Sequence, residues 1–187
     1  MILAIEGLDG SGKTTVGSIV ASELGARFLT GIPPEMGAPG DAFMREYDSG
    51  ARYFYYLSAA LWTASRFSTA AELVVVDRYL ASAHALHVAA PEDSKRAARR
   101  VKVPRADMCV FLHAPEVERC QRLASRSNGE DPFEERLRTD AGFRQQVSLE
   151  MLAYPGIRTI PTANRTPVDV ALDVVGLWNG VVHARRP

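Results

Sequence analysis

The strongest constraint on the fold lies in the first fifteen residues, MILAIEGLDGSGKTT. An apolar run from Ile2 to Ile5 leads into the stretch from Gly7 to Thr14, which matches the pattern G-x-x-x-x-G-K-S/T at every specified position. The glycines of this pattern allow backbone conformations that a side chain would forbid, so that successive N–H groups converge on phosphate oxygens. The stretch therefore predicts a strand, a phosphate-binding loop and a helix whose positive dipole end faces the anion.

The pattern also assigns chemistry to individual residues of the loop. Lys13 would place a positive charge on the β- and γ-phosphates, and the hydroxyl of Thr14 would ligate Mg²⁺. We therefore expect ATP and Mg²⁺ as cofactors. The residues expected to bind them are Gly7, Leu8, Asp9, Gly10, Ser11, Gly12, Lys13, Thr14 and Thr15.

A second informative stretch follows the apolar run from Leu73 to Val76, which is continuous, as in a central parallel strand. Asp77, at the tip of that strand, is expected to hold Mg²⁺, directly or through water. The guanidinium of Arg78 suits bidentate contact with a phosphate. Alternatively, these two residues pair with each other or cap the next helix.

Strand and helix patterns alternate along the chain. The predicted strands are residues 2–5, 26–30, 73–76, 107–113 and 157–160. This alternation predicts an α/β protein with a three-layer P-loop NTPase fold, in which helices flank a five-stranded parallel sheet. We expect one domain over residues 1–187. The other local predictions are a loop over 31–40, which holds three prolines and three glycines, a short helix over 41–48 and one helix over 133–153.

Composition excludes several classes of partner. The 22 basic and 22 acidic residues cancel, so no overall field favours nucleic acid or an anionic membrane. No apolar run approaches 18 residues and no signal peptide is recognised, which favours a cytoplasmic location. Cys109 and Cys120 lack the spacing of a metal or redox pair, and we expect both to be small buried hydrophobes.

Two further stretches hold candidate substrate contacts. Residues 51–71 predict a long apolar helix with six aromatic side chains, some of which must lie in the core. Tyr53 and Phe54 are the candidates for stacking on a planar base. The same helix is a candidate homodimer face, although periodicity does not separate an interface from a core. Glu35, the only charged residue of the loop over 31–40, is a candidate general base or ribose contact, or simply a solvated carboxylate.

Arginines near a polar break in the helical pattern indicate a lid. Arg119, Arg122 and Arg126 precede the sequence SNGEDP at residues 127–132. A hinge beside cations suits a small lid, at about residues 122–136, that closes over a phosphate chain. Ordinary surface charges would give the same pattern.

Three stretches together resemble the thymidylate kinase family: GLDGSGKTT, VVVDRYLAS from Val74 to Ser82, and FLHAPEVERCQR from Phe111 to Arg122. The resemblance implies transfer of the ATP γ-phosphate to a small-molecule nucleotide acceptor, a deoxynucleoside monophosphate such as thymidylate or a pyrimidine relative. It also implies that Asp9 contacts the acceptor sugar, that Arg78 binds the acceptor phosphate and that Ser82 lies nearby. Gly10 stands where one subgroup has an arginine, which moves the transition-state cation to the lid. The expected catalytic residues are Lys13, Asp9, Arg78, Arg122 and Arg126, with Arg119 as a further lid candidate.

The chain also departs from that family. TGIPPEMG, from Thr30 to Gly37, lacks the family's arginine after the second strand, and the usual Phe with an Arg four residues later is not cleanly present. These losses leave two other hypotheses open. One is a nucleoside kinase with Glu35 as base toward a sugar hydroxyl, similar to the deoxynucleoside kinases, although Asp77-Arg78-Tyr79 stands in place of their Glu-Arg-Ser. The other is a nucleotide-binding protein without useful transfer.

Overall fold

The sheet has five parallel strands in the order β2-β3-β1-β4-β5. The computed structural model describes residues 1–37, 49–88, 90–124 and 132–184. The strands are β1 (Ile2–Glu6), β2 (Arg27–Thr30), β3 (Val74–Asp77), β4 (Met108–His113) and β5 (Ile157–Pro161). The predicted fold class and parallel sheet are confirmed.

The interior strands owe their composition to their position. Every residue of β1 and β3 is buried, whereas the edge strands β2 and β5 are only partly covered. Helices cover both faces of the sheet, so a central strand must be apolar on both sides. Alternate residues of β1 point to opposite layers: Ile2 and Ala4 pack in one core cluster, and Leu3 and Ile5 in the other.

The helices in the described ranges form the two outer layers. They are α1 (Lys13–Glu23), α2 (Ser49–Phe67), α3 (Leu80–Ala85), α4 (Glu92–Ala98), α5 (Glu116–Ala124), α6 (Pro132–Thr139), α7 (Ala141–Leu152) and α8 (Pro167–Ala184). Helices α1 and α8 pack on the Leu3 face, and α2 and α3 pack on the Ile2 face. None of the helices described is both long and apolar enough to cross a membrane.

The helix predicted over residues 133–153 is wrong, because two helices, α6 and α7, meet at Asp140. Asp140 has an extended backbone (φ −99°, ψ 97°), and its carboxylate accepts a hydrogen bond of 2.9 Å from the backbone N–H of Phe143. An aspartate that caps a new helix in this way ends the preceding one. The charge pattern that runs through both helices does not show this break.

Two smaller expectations are also corrected. Residues 34–37 form a helical turn inside the stretch predicted as a loop, and the hydroxyl of Tyr55 donates to the carbonyl of Met36 at 2.5 Å. Proline fits the first turn of a helix, so Pro34 can begin this one.

Cys109 is buried as expected, but Cys120 is exposed, because it lies on the outer side of α5. The helix predicted over residues 41–48 lies outside the described residues.

The layered core gives a direct stability prediction. Leu3 is fully buried on the central strand, whereas Leu172 on α8 is 52% exposed. Leu3→Ala should lower the free energy of unfolding by about 3 kcal/mol in urea titrations, because a cavity remains between β1 and α1. Leu172→Ala removes the same atoms from the surface and should change it by less than about 0.5 kcal/mol. Equal losses for the two variants would contradict this description of the core.

Candidate active site

The candidate site lies where the carboxyl ends of three strands meet. β1 continues into the loop from Gly7 to Gly12, and the parallel register places Asp77 beside both Ile5 and Thr30. These ends border a cavity of about 250 Å³, called here the strand-end cavity. Its lining residues are Asp9, Gly10, Gly12, Lys13, Thr14, Thr30, Gly31, Ile32, Tyr56, Asp77 and Arg78. Ligands of open α/β sheets bind at such an edge.

Asp9 holds two cations at this cavity. Its carboxylate pairs with Nη2 of Arg78 and lies 3.6 Å from Nζ of Lys13, which also donates to the carbonyl of Leu8 at 3.0 Å. Burial alone would raise the pKa of Asp9, but the charges of Arg78 and Lys13 hold that pKa well below its usual range. Burial and the charge of Arg78 lower the pKa of Lys13 to about 8, against the opposing charge of Asp9. The cavity thus holds two oriented cations that could contact phosphate.

Thr14 and Asp77 form the candidate Mg²⁺ site. The Thr14 hydroxyl donates to Oδ2 of Asp77 at 2.5 Å, and the buried Oδ1 has no hydrogen-bond partner among the described residues. A carboxylate oxygen without a partner, next to a hydroxyl, suits Mg²⁺. The ion would take its remaining oxygen ligands from phosphate and water. Within the same ranges, no group of three or more His, Cys, Asp or Glu could hold a metal ion by itself.

Arg78 lies in an unusual backbone conformation at the end of β3. Its φ is +75°, and Nη1 donates to the carbonyl of Gly7 at 3.3 Å and to Oγ of Ser82 at 3.2 Å. Ser82 is therefore near Arg78, as the resemblance implies. The guanidinium of Arg78 also forms an ion pair with Asp9 across the cavity.

Helix α5 supports the loop from the other side. Nη1 of Arg119 donates to the carbonyl of Asp9, and Nη1 of Arg122 donates to that of Gly10 at 3.2 Å. Arg119 is only 3% exposed and also bonds to Glu116 at 3.1 Å, so it is a support of the loop rather than a mobile lid cation. Arg126 and most of the predicted lid hinge lie outside the described residues.

A second cavity, of about 390 Å³, lies beside the same loop and is called here the outer cavity. Arg122 and Thr15 border it together with Thr162, Arg165 and Pro167. The sequence reasoning did not identify Thr162 or Arg165. Thr162 directly follows β5, and Arg165 lies four residues after its end. This position was the available signal, because the carboxyl ends of the five parallel strands lie at one edge of the sheet.

Three predicted substrate contacts lie away from the strand-end cavity. Tyr53 is buried against His87, with ring centroids 5.1 Å apart, and lines a different cavity of about 270 Å³; Phe54 is 36% exposed. Tyr56 is the aromatic residue of α2 that borders the strand-end cavity. Glu35 is exposed on the helical turn and does not line that cavity. Four aromatic residues in succession, YFYY, do not reveal which one faces a ligand.

The parallel sheet, the phosphate-binding loop after β1 and the adjacent Asp77 and Arg78 at the end of β3 define a P-loop phosphotransferase. The family model described as "Thymidylate kinase" matches residues 5–166. The chain belongs to the thymidylate kinase family and is therefore a nucleoside monophosphate kinase, a transferase.

One curated relative and two solved structures are similar to this chain. A curated protein called "Probable thymidylate kinase", from Pyrobaculum calidifontis, is 29% identical over 201 residues and is matched along the full length of both chains. The thymidylate kinase of Candida albicans superposes with a TM-score of 0.70 at 18% identity, covering 98% of this chain and 92% of the other. A deoxyadenosine kinase from M. mycoides has a TM-score of 0.70 at 14% identity, covering 96% and 100%. These two solved structures share the fold of this chain.

The packing of the loop against α5 gives a second prediction. Gly10 has φ +81°, and an added Cβ would lie 2.8 Å from the carbonyl oxygen of Arg119. Gly156 has nearly the same φ, +79°, but open space around it, so it is a matched control. Gly156→Ala should cost about 1 kcal/mol of unfolding free energy for backbone strain alone. Gly10→Ala should cost about 1–3 kcal/mol more, because of the added clash. Equal costs in denaturant titrations would show that the loop does not pack as described.

Proposed function

We propose that this protein transfers the γ-phosphoryl group of Mg²⁺-bound ATP to a deoxynucleoside monophosphate, with thymidylate or a close pyrimidine relative as acceptor. One observation carries the proposal. The lysine expected to bind the donor, Lys13, and the arginine expected to bind the acceptor, Arg78, contact the same carboxylate, Asp9, in one cavity. Phosphoryl transfer depends mainly on alignment and charge neutralisation, and both reactants would meet there.

The donor half consists of the loop and α1. Backbone N–H groups of the loop and Lys13 would bind the β- and γ-phosphates, while Thr14 and Asp77 would hold Mg²⁺. When bound, Mg²⁺ supplies positive charge to the phosphate oxygens. The outer cavity, beyond the loop, is the proposed place of the adenosine, where Thr162 and Arg165 would contact it. Arg165 is held there by Asp173, with 2.7 Å between Nη1 and Oδ2.

The acceptor half lies at the end of β3. Arg78 would bind the acceptor phosphate, Asp9 would contact the sugar, and Tyr56 would pack beside the base, in place of Tyr53 or Phe54. An oxygen of the acceptor phosphate is itself the nucleophile, so a general base such as Glu35 is not required. Arg122, which donates to the carbonyl of Gly10 in the phosphate-binding loop, would provide the additional cation in the transition state, with Arg126 as the alternative.

The proposed function has consequences for location and assembly. It would place the protein in the cytoplasm, with its ATP and nucleotide pools. We also propose a homodimer through α2, on which Phe54 and Leu61 are 36% and 42% exposed. Analytical ultracentrifugation would test this, and a monomer at working concentrations would contradict it.

A coupled ADP-release assay across nucleosides and nucleoside monophosphates tests the activity. We expect turnover with dTMP or a related pyrimidine monophosphate, and its loss with EDTA. Lys13→Ala should lower kcat by at least about a hundredfold, because the charge aligned on the phosphates is lost. Lys102→Ala, a change of an exposed lysine outside the site, should have no effect.

The other outcomes of this assay lead to different assignments. Turnover with unphosphorylated nucleosides alone would identify a nucleoside kinase. Tight binding of Mg²⁺-ATP without turnover on any acceptor would identify a nucleotide-binding protein. Either result would overturn the proposal.

The lowered pKa of Lys13, about 8, predicts a pH dependence of ATP affinity. Lys13 is charged below that pH and neutral above it, so ATP binding should weaken by up to about tenfold between pH 7 and pH 9. Lys13→Arg keeps the charge throughout this range and should largely remove the dependence. Calorimetric titrations at each pH provide the measurement. The same decline in both proteins would assign the effect to another group.

A further inference from the structure

Glu6 is a buried carboxylate to which the proposed mechanism gives no role. It ends β1 directly before the phosphate-binding loop and is 0% exposed. A carboxylate removed from water in this way needs compensating hydrogen bonds. Among the described residues, the hydrogen-bond partners of its carboxylate belong to the segment from Tyr79 to Ser82, which follows β3 and lies more than seventy residues later in the chain.

Three donors converge on the Glu6 carboxylate. The backbone N–H of Tyr79 donates to Oε1 at 3.0 Å, and the backbone N–H of Ser82 donates to Oε2 at 3.2 Å. The hydroxyl of Ser82 also donates to Oε2. Burial raises the pKa of Glu6, while the bonds from Ser82 and Tyr79 and the charge of Arg78 oppose that rise. Since these three partners are donors, both oxygens of the Glu6 carboxylate act as acceptors.

These bonds form a path to the side chain of Arg78. Nη1 of Arg78 donates to Oγ of Ser82 at 3.2 Å, and that hydroxyl in turn donates to Glu6. Because the Ser82 hydroxyl has a single proton, its donation to Glu6 turns its lone pairs toward the guanidinium. The orientation of Ser82 as an acceptor for Arg78 thus depends on Glu6.

The same bonds fix the backbone of Arg78. Arg78 has φ +75°, a conformation that residues with a Cβ adopt only when their surroundings impose it. Its own N–H donates to the carbonyl of Ile5 at 3.0 Å, and the N–H of the next residue, Tyr79, is held by Glu6. On the other side, a Cβ at Gly31 would lie 2.7 Å from the carbonyl oxygen of Arg78, so the turn is closely packed.

We propose that Glu6 is a positioning residue for acceptor recognition: it fixes the turn at Arg78 and orients Ser82, so that the Arg78 guanidinium points into the strand-end cavity. This inference rests on the proposed function, in which Arg78 binds the acceptor phosphate. Glu6 itself would touch neither substrate. Its loss should therefore affect the acceptor and leave ATP binding nearly intact.

Steady-state kinetics of Glu6→Gln provide the first test. Glutamine keeps the shape but replaces one acceptor oxygen by a donor that faces N–H and O–H groups. We expect kcat/KM for the acceptor to fall by about tenfold or more, with KM for ATP changed by less than about twofold. Val174→Ala, a buried change on α8, controls for lost stability and should leave both KM values unchanged. Equal rises in KM for ATP and acceptor would overturn the proposal.

A double-mutant cycle separates positioning from a general structural effect. If Glu6 acts through Arg78, Glu6→Gln should have little further effect on kcat/KM in the Arg78→Ala background. The same loss in both backgrounds would overturn the proposal. If Glu6→Gln does not fold, Ser82→Ala replaces it in the cycle, because it cuts only the side-chain path and should shift the acceptor KM in the same direction.

A measurement without turnover distinguishes failure of this inference from failure of the proposed function. By NMR, exchange of the Arg78 side-chain Nε–H and of the Tyr79 and Ser82 amides should be at least about tenfold faster in Glu6→Gln than in the wild type or Val174→Ala. Unchanged exchange would overturn the positioning role even in an active kinase. Faster exchange in a protein that phosphorylates no nucleotide would reject the proposed function and retain the role of Glu6 in holding Arg78.

Discussion

The site depends on the ion pair between Asp9 and Arg78. It joins the loop after β1 to the end of β3, between residues 69 positions apart in the chain. Burial opposes the charge on Asp9, but Arg78 and Lys13 more than offset it, so that the pKa of Asp9 lies below its usual range. Removing one partner of such a pair leaves an uncompensated buried charge. The pair therefore links the two segments that border the strand-end cavity.

The loop is fixed from two directions. Arg78 holds it on the side of β3, and Arg119 and Arg122 bind the carbonyls of Asp9 and Gly10 on the side of α5. The protein itself thus orients these cations, and pre-oriented charges lower the cost of binding an anion.

Local patterns in the sequence predicted the parts of the site that depend on chain continuity. The loop and its Lys13 follow directly from β1, and Asp77 follows directly from an apolar run, so that their places were evident. The break at Asp140 and the exposure of Cys120 were not. The exposure of Cys120 depends on which side of α5 faces the core, and the break at Asp140 depends on the capping bond from Phe143. Charge or apolar spacing alone shows neither. The sequence also did not show which side of α2 faces the site. In the structure, Tyr56 lies on that side and borders the strand-end cavity.

The sequence by itself determined the parallel α/β architecture and the phosphate-binding loop, because buried strands need continuous apolar residues and a loop around phosphate needs glycines in a fixed pattern. Only the tertiary structure decided the partners of the charged groups. Asp9 meets Arg78, Glu6 meets Ser82, and Arg119 meets the loop. These contacts join segments far apart in the chain, and the strand order and register that create them leave no local pattern.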